Sequence, residues 1–183
     1  MEWVSGSFGS RVSMLYPTSI LKGENSSSTY TGISFVGKDQ NIDNGCTMIH
    51  IGKNTSSLVN TKSIVKDGGI STTRNNIKIQ KGAKGVKSNS DCDSLILDNL
   101  SVSDTIPLIE TNESDSDIGH EAKTGKIDDN IIFYLMSRGF NESQAKALIV
   151  RGFASPISNE LPLEYAIELN NLINLELEGH DGR

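Results

Sequence analysis

The chain has 183 residues, 36% apolar and 22% charged, and its 17 basic and 23 acidic side chains give a formal net charge of −6. That length suits one domain or a domain with an appendage, and the apolar share is too high for a disordered tail. No apolar run approaches the roughly 20 residues of a spanning helix, and an acidic chain is a poor match for nucleic acid or an anionic membrane.

The first residues, Met1 to Gly6, carry no basic segment followed by a long apolar one, so no signal peptide is expected. Two cysteines, Cys46 and Cys92, are too few for a disulfide-stapled secreted scaffold. A reducing compartment is expected, where a cysteine serves as nucleophile, metal ligand or inert core residue.

Residues 1–126 are rich in Ser, Thr, Asn and Gly. Strand-sized apolar runs interrupt them, among them Ile33 to Val36, Met48 to Ile51, Ile64-Val65, Ile77 to Ile79, Leu95 to Leu97 and Ile106 to Ile109. Alternation shows in Met48-Ile49-His50-Ile51 and Ile77-Lys78-Ile79-Gln80. No aromatic residue falls between Phe35 and Phe133, so the core is expected to be thin and filled by Ile, Val, Leu and Met. A sandwich, a barrel or a β-solenoid would all fit; the thin core and polar loops favour the solenoid, although repetition in the sequence is weak.

From residue 127 the pattern turns helical. Asp128 or Asp129 caps a first helix through Ile131, Ile132, Leu135 and Met136, with Gly139 just past its end. Asn141 with Gln144 forms a capping box for a second helix, expected to end at Gly152 with Pro156 in the following loop. Pro162 opens a third helix, running to about Leu177 and followed by Gly179. Residues 1–126 carry 13 basic and 14 acidic side chains, whereas 127–183 carry 4 and 9. The acidic helical unit is expected to cap one end of the sheet region, and a partner-docking surface is the sharper alternative.

Cys92 stands between Asp91 and Asp93. Neighbouring carboxylates disfavour a free thiolate, which argues against a peroxide-type nucleophile, and a bound cation would reverse that penalty. The alternative is a buried, inert thiol. His120-Glu121 follows, with Glu121 29 residues after Cys92, about one solenoid coil. Equivalent positions on stacked strands lie about 4.8 Å apart, so a thiolate and a carboxylate or imidazole could share one cation, iron or zinc. Adjacent residues on a strand face opposite ways, so only one of His120 and Glu121 can serve a given site; a surface pair without a role is the other reading. Asp43, Cys46 and His50 form a further polar set, in which His50 reads best as a hydrogen-bonded core histidine. Arg74, Lys78, Lys81, Lys84 and Lys87 have no aromatic residues among them for base stacking, so they read as a solvated sheet face. There is no phosphate-binding loop, dinucleotide fingerprint, nucleophile elbow or C-x-x-C pair. A mononuclear metal hydrolase built on Cys92 and Glu121 lacks a third ligand.

An ordered set of motifs runs through the chain: Met14-Leu15-Tyr16-Pro17, Met48-Ile49-His50, Cys92-Asp93-Ser94, Ser103 to Pro107, His120-Glu121-Ala122, Phe133 to Gly139, Arg151-Gly152-Phe153 and Glu160 to Ala166. In this the chain closely resembles the SufB family, the scaffold subunits of the SUF iron–sulfur cluster assembly system, over the family's C-terminal portion. The resemblance implies a right-handed parallel β-helix over residues 1–126 followed by a small α-helical C-terminal domain over 127–183. It implies a non-enzymatic scaffold that builds a transient iron–sulfur cluster at its interface with a SufD-like paralogue, or a second SufB, paired through the β-helix. A SufC-like ATPase would dock on residues 127–178 and hydrolyse the ATP. The family's cluster cysteine falls on Cys92 and its acidic partner on Glu121, with His120 beside it; SufD-like chains lack this Cys-Asp pair. The implied setting is a prokaryotic cytoplasm or the plastid stroma. The family's usual Gln-His-Gln-Asp-Ala-Gly-Ala-Lys reads Gln40 to Thr47 here, and its Tyr-Arg-Gly reads Thr73-Arg74-Asn75, so the resemblance gives Cys46 no role. SufB proteins are longer at the N-terminus and receive sulfur there, so the expected alternative is a docking module that binds the ATPase without building a cluster.

Overall fold

The structure is a computed structural model and describes residues 1–178. Its strands are β1 (Glu2–Ser7), β2 (Val12–Leu15), β3 (Thr18–Leu21), β4 (Ser27–Val36), β5 (Asn41–His50), β6 (Ser56–Val65), β7 (Ile70–Ile79), β8 (Val86–Ile96), β9 (Val102–Thr105), β10 (Leu108–Thr111) and β11 (Ser116–Lys126). Helices α1 (Asp129–Ser137), α2 (Glu142–Ser158) and α3 (Leu163–Glu178) follow. The strands form two parallel sheets. One is ordered β1-β4-β6-β8-β11; the other stacks β10, β7, β5 and β2, with β3 also on β5 and β9 also on β7. With β2 and β3 counted as one segment and β9 and β10 as another, successive segments alternate between the sheets, so the chain winds a parallel β-helix, as the sequence predicts.

The repeat that is weak in sequence is plain at the corners. Asn25 (φ 58°), Asn54 (φ 53°) and Gly85 (φ 69°) take left-handed backbone where the chain enters β4, β6 and β8. Asn, Asp and Gly tolerate that conformation best. The corners stack through backbone bonds: Asn25 N donates to Lys53 O (3.0 Å), Asn54 N to Lys84 O (2.7 Å) and Gly85 N to Asp115 O (2.8 Å). At the opposite corners Asp39 (φ 59°) and Asp67 (φ 54°) also take left-handed backbone.

Val36, Ile42 and Val65 form one buried layer between the sheets, and Tyr30, Cys46, Met48 and Val59 form another. The interior is more polar than the expected filling of Ile, Val, Leu and Met. Buried hydroxyls line it and several bond to one another, Ser63 with Ser94 at 2.7 Å and Ser94 with Ser103 at 2.8 Å. Paired hydroxyls are tolerated inside because each meets a partner.

The helices do not cap an end of the solenoid. They cover the outer face of the first sheet, where Ile33, Phe35 and Ile64 meet Val150, Ala154 and Ile157 of α2 and Leu169 and Ile173 of α3. Those outward apolar residues need a cover, and the apolar stripes of α2 and α3 supply it. Asp128 caps α1, and Asn141 and Gln144 form the expected capping box of α2. Helix α2 continues through Gly152 and carries Pro156 inside it, contrary to the expected stop. Pro156 has no N–H for the Gly152 carbonyl, and the Ser155 hydroxyl donates to that carbonyl instead at 2.9 Å. Burial of Ala154 and Ile157 against the sheet holds the extra turn in place. The sequence expectation at Gly179 lies outside the described residues. Among those described, no helix is long and apolar enough to cross a membrane.

Candidate functional site

Strand β8 alternates inward Ser88, Ser90, Cys92 and Ser94 with outward Lys87, Asn89, Asp91 and Asp93. Cys92 is therefore inside the solenoid and 3% exposed. Asn75 of β7, on the opposite sheet, donates from Nδ2 to Cys92 Sγ at 3.1 Å. The same nitrogen lies 3.3 Å from Ser90 Oγ and 3.4 Å from Thr61 Oγ1. Burial raises the thiol pKa, hydrogen bonding to the sulfur, that from Asn75 included, acts against it, and Asp91 adds to the rise. The carboxylates flanking Cys92 point away from it. Asp93 pairs with Lys62 at 2.8 Å, and Asp91 accepts from Asn89 Nδ2 at 3.0 Å.

Strand β11 lies beside β8 with Ala122 against Cys92, Glu121 against Asp91 and His120 against Ser90. Two residues of different chemistry thus divide between the faces. His120 shares the face of Ser90 and Cys92, one pleat from the thiol. Glu121 shares the outer face of Asp91 and bonds Lys123 at 3.0 Å. Both are exposed, because β11 is the edge of its sheet. Cys92 and Glu121 stand on adjacent strands, one register step apart and on opposite faces. Among the described residues, no three His, Cys, Asp or Glu side chains are grouped so that they could hold a metal ion.

Cys46, given no role by the resemblance, is 1% exposed and faces the same interior. It stacks against Asn75 in the β5–β7 register, and its thiol donates to Asn75 Oδ1 at 3.9 Å. Burial pushes its pKa up to about 12, and the nearby Cys92 sulfur adds to the rise. The sequence carried one signal for this contact: Cys46 and Asn75 are 29 residues apart, the coil length.

His50 is the core histidine expected. It is fully buried, with Nδ1 2.8 Å from Thr55 Oγ1 and Nε2 3.0 Å from Ser57 Oγ. The lysine stripe is solvated: Lys78 pairs with Glu110 at 3.2 Å, Arg74 pairs with Asp43 at 3.0 Å, and Lys81, Lys84 and Lys87 are exposed.

Residues 1–153 match the family described as SUF system FeS cluster assembly, SufBD core domain. The chain belongs to the SufB/SufD family. It is 47% identical over 182 residues to the iron–sulfur cluster assembly protein SufB of Bacillus subtilis, aligning over 100% of this chain and 39% of that protein. An iron–sulfur cluster assembly SufBD family protein of Staphylococcus saprophyticus is 48% identical over the same shares, 100% and 39%. One of Mycobacterium bovis is 45% identical over 100% of this chain and 22% of its own length. The chain thus spans between about a fifth and two fifths of the relatives it matches. Within this SufB/SufD chain, Cys92 lies in the matched core, and the match ends inside α2.

Proposed function

We propose that this chain takes part in iron–sulfur cluster assembly as a scaffold without enzymatic activity of its own, with the nascent cluster as transient cargo. The observation that carries this reading is a SufB/SufD core in which Cys92 lies on the strand next to His120-Glu121. Cys92 supplies a thiolate, and Glu121 or His120 supplies a harder oxygen or nitrogen donor. Mixed ligation of this kind suits iron and holds a cluster less firmly than an all-thiolate cage.

The geometry sets a condition on this role. Cys92 is 3% exposed with Ala122 as its neighbour on β11, and Glu121 is on the other face of that strand. Cluster assembly therefore requires the β11 edge to shift or twist. Among the described residues that strand pairs on one side only, so it is less costly to move than the inner strands of its sheet. His120 needs the smaller movement, since it already shares the face of Cys92.

The free edges of β10 and β11 supply the surface for a SufD-like paralogue or a second SufB. Residues 127–178 supply the surface for a SufC-like ATPase, with Phe133 73% exposed and Tyr134, Met136 and Phe140 exposed around it. Bacterial relatives favour a bacterial cytoplasm over a plastid stroma. A second reading is a docking module that binds the ATPase and builds no cluster, and the exposed aromatic residues of α1 are the observation that favours it.

The test is anaerobic reconstitution. The chain is co-expressed with SufC-like and SufD-like partners and supplied with ferrous iron and sulfide. A visible chromophore and EPR signal that disappear in Cys92→Ala are expected. A well-folded complex that forms no chromophore would leave the docking module as the function.

A further inference from the structure

Asn75 lies at the centre of the solenoid, 2% exposed, and contacts both cysteines. Its amide reaches Cys92 across the interior through Nδ2 and touches Cys46 on its own sheet through Oδ1. The orientation of the amide follows from its neighbours. Thr61 spends its hydroxyl hydrogen on the Asp91 carbonyl at 3.3 Å, so its oxygen faces Asn75 as an acceptor. An acceptor on that side calls for the NH2 end of the amide, and the Cys46 thiol on the other side is a donor to the carbonyl end. We infer that Asn75 is a positioning residue for the Cys92 sulfur, and that Cys46 orients Asn75.

An N–H aimed at a sulfur fixes the direction in which its remaining lone pairs are free. In a thiolate bound to iron, such a donor also withdraws charge and raises the reduction potential. The hydrogen bond stands on the geometry alone, and its bearing on a cluster rests on the role proposed for Cys92.

Infrared spectra of the metal-free full chain in the S–H stretching region test the contact directly. The chain has two thiols, so Cys46→Ala and Cys92→Ala assign the two bands. In Asn75→Ala the Cys46 band is expected to rise in frequency as its acceptor is lost, and the Cys92 band to shift as its donor is lost. Asn75→Leu, close to Asn in shape and without a donor, tests the same point if the alanine variant does not fold. A Cys92 band unmoved in a natively folded Asn75 variant overturns the inference.

A second measurement separates this inference from the functional reading. In reconstituted complexes the cluster of Asn75→Leu is expected at a lower reduction potential than wild type. An unchanged potential also overturns the inference. S–H bands that shift in the Asn75 variants, together with a wild-type complex that builds no cluster, would uphold the Asn75–Cys92 contact and sink the scaffold role instead.

Discussion

His50 Nε2 and Ser57 Oγ lie 3.0 Å apart inside the solenoid, and Ser57 passes the chain on to Ser88 at 2.7 Å. This joins the corner after β5 to β6 and β8 through buried side chains. Burial lowers the His50 pKa from the ordinary 6.5 to about 4. The unfolded chain therefore binds a proton at His50 between those values and the folded chain does not, so stability rises with pH.

The stabilisation from neutral His50 is complete above about pH 6.5 and is lost progressively as pH falls to about 4, amounting to roughly 3 kcal/mol. Urea titrations from pH 4 to 7 should show this slope in wild type and a flatter one in His50→Gln. The same pH dependence in both proteins would rule the explanation out.

Gly45 has a φ of 155°, and a Cβ there would overlap the backbone carbonyl of Arg74 on the next strand. Gly45→Ala should destabilise the fold by about 3 kcal/mol or more, because two bonded strands must separate. Gly152 sits within α2 with open space where its Cβ would go. Gly152→Ala should stabilise by about 0.5–1 kcal/mol through helix propensity. Thermal melting of the two variants should therefore move in opposite directions.

Phe35 is fully buried between the first sheet and helices α2 and α3, and its ring stacks on Phe8 at a centroid distance of 6.3 Å. Phe35→Ala should cost about 3–5 kcal/mol. Because the cavity opens at the seam between sheet and helices, hydrogen exchange should rise in α2 and α3 more than in β8. Equal loss of protection in both would show that the seam is not where the energy sits.

Phe133 is exposed on α1, while its neighbour Ile132 is the buried residue of that helix. Phe133→Glu should leave the melting temperature nearly unchanged and weaken association with a SufC-like ATPase at least tenfold, since aromatic anchors dominate interface energetics. Undiminished binding by isothermal titration calorimetry would move the docking surface away from α1.

The sequence by itself determined what neighbours within a few residues decide. The caps at Asp128 and Asn141, the strand-sized runs and the change from β to α habit near residue 127 all follow from local hydrogen bonding and hydrophobic period. It also singled out Cys92 and His120-Glu121, and predicted His50 as a core histidine. Tertiary structure decided the rest. Coil spacing is 29 residues from Ser27 to Ser56, 31 from Ser56 to Lys87 and 30 from Val86 to Ser116. The 29-residue step from Cys92 to Glu121 therefore falls one residue short of register, and one residue moves a side chain to the opposite face. Corner lengths set that register, and they are fixed by how the coils stack. The same stacking brings Cys46, Asn75 and Cys92 together from three strands. Packing against the sheet likewise carries α2 past Gly152 and Pro156, because buried apolar contact outweighs the local signal to stop.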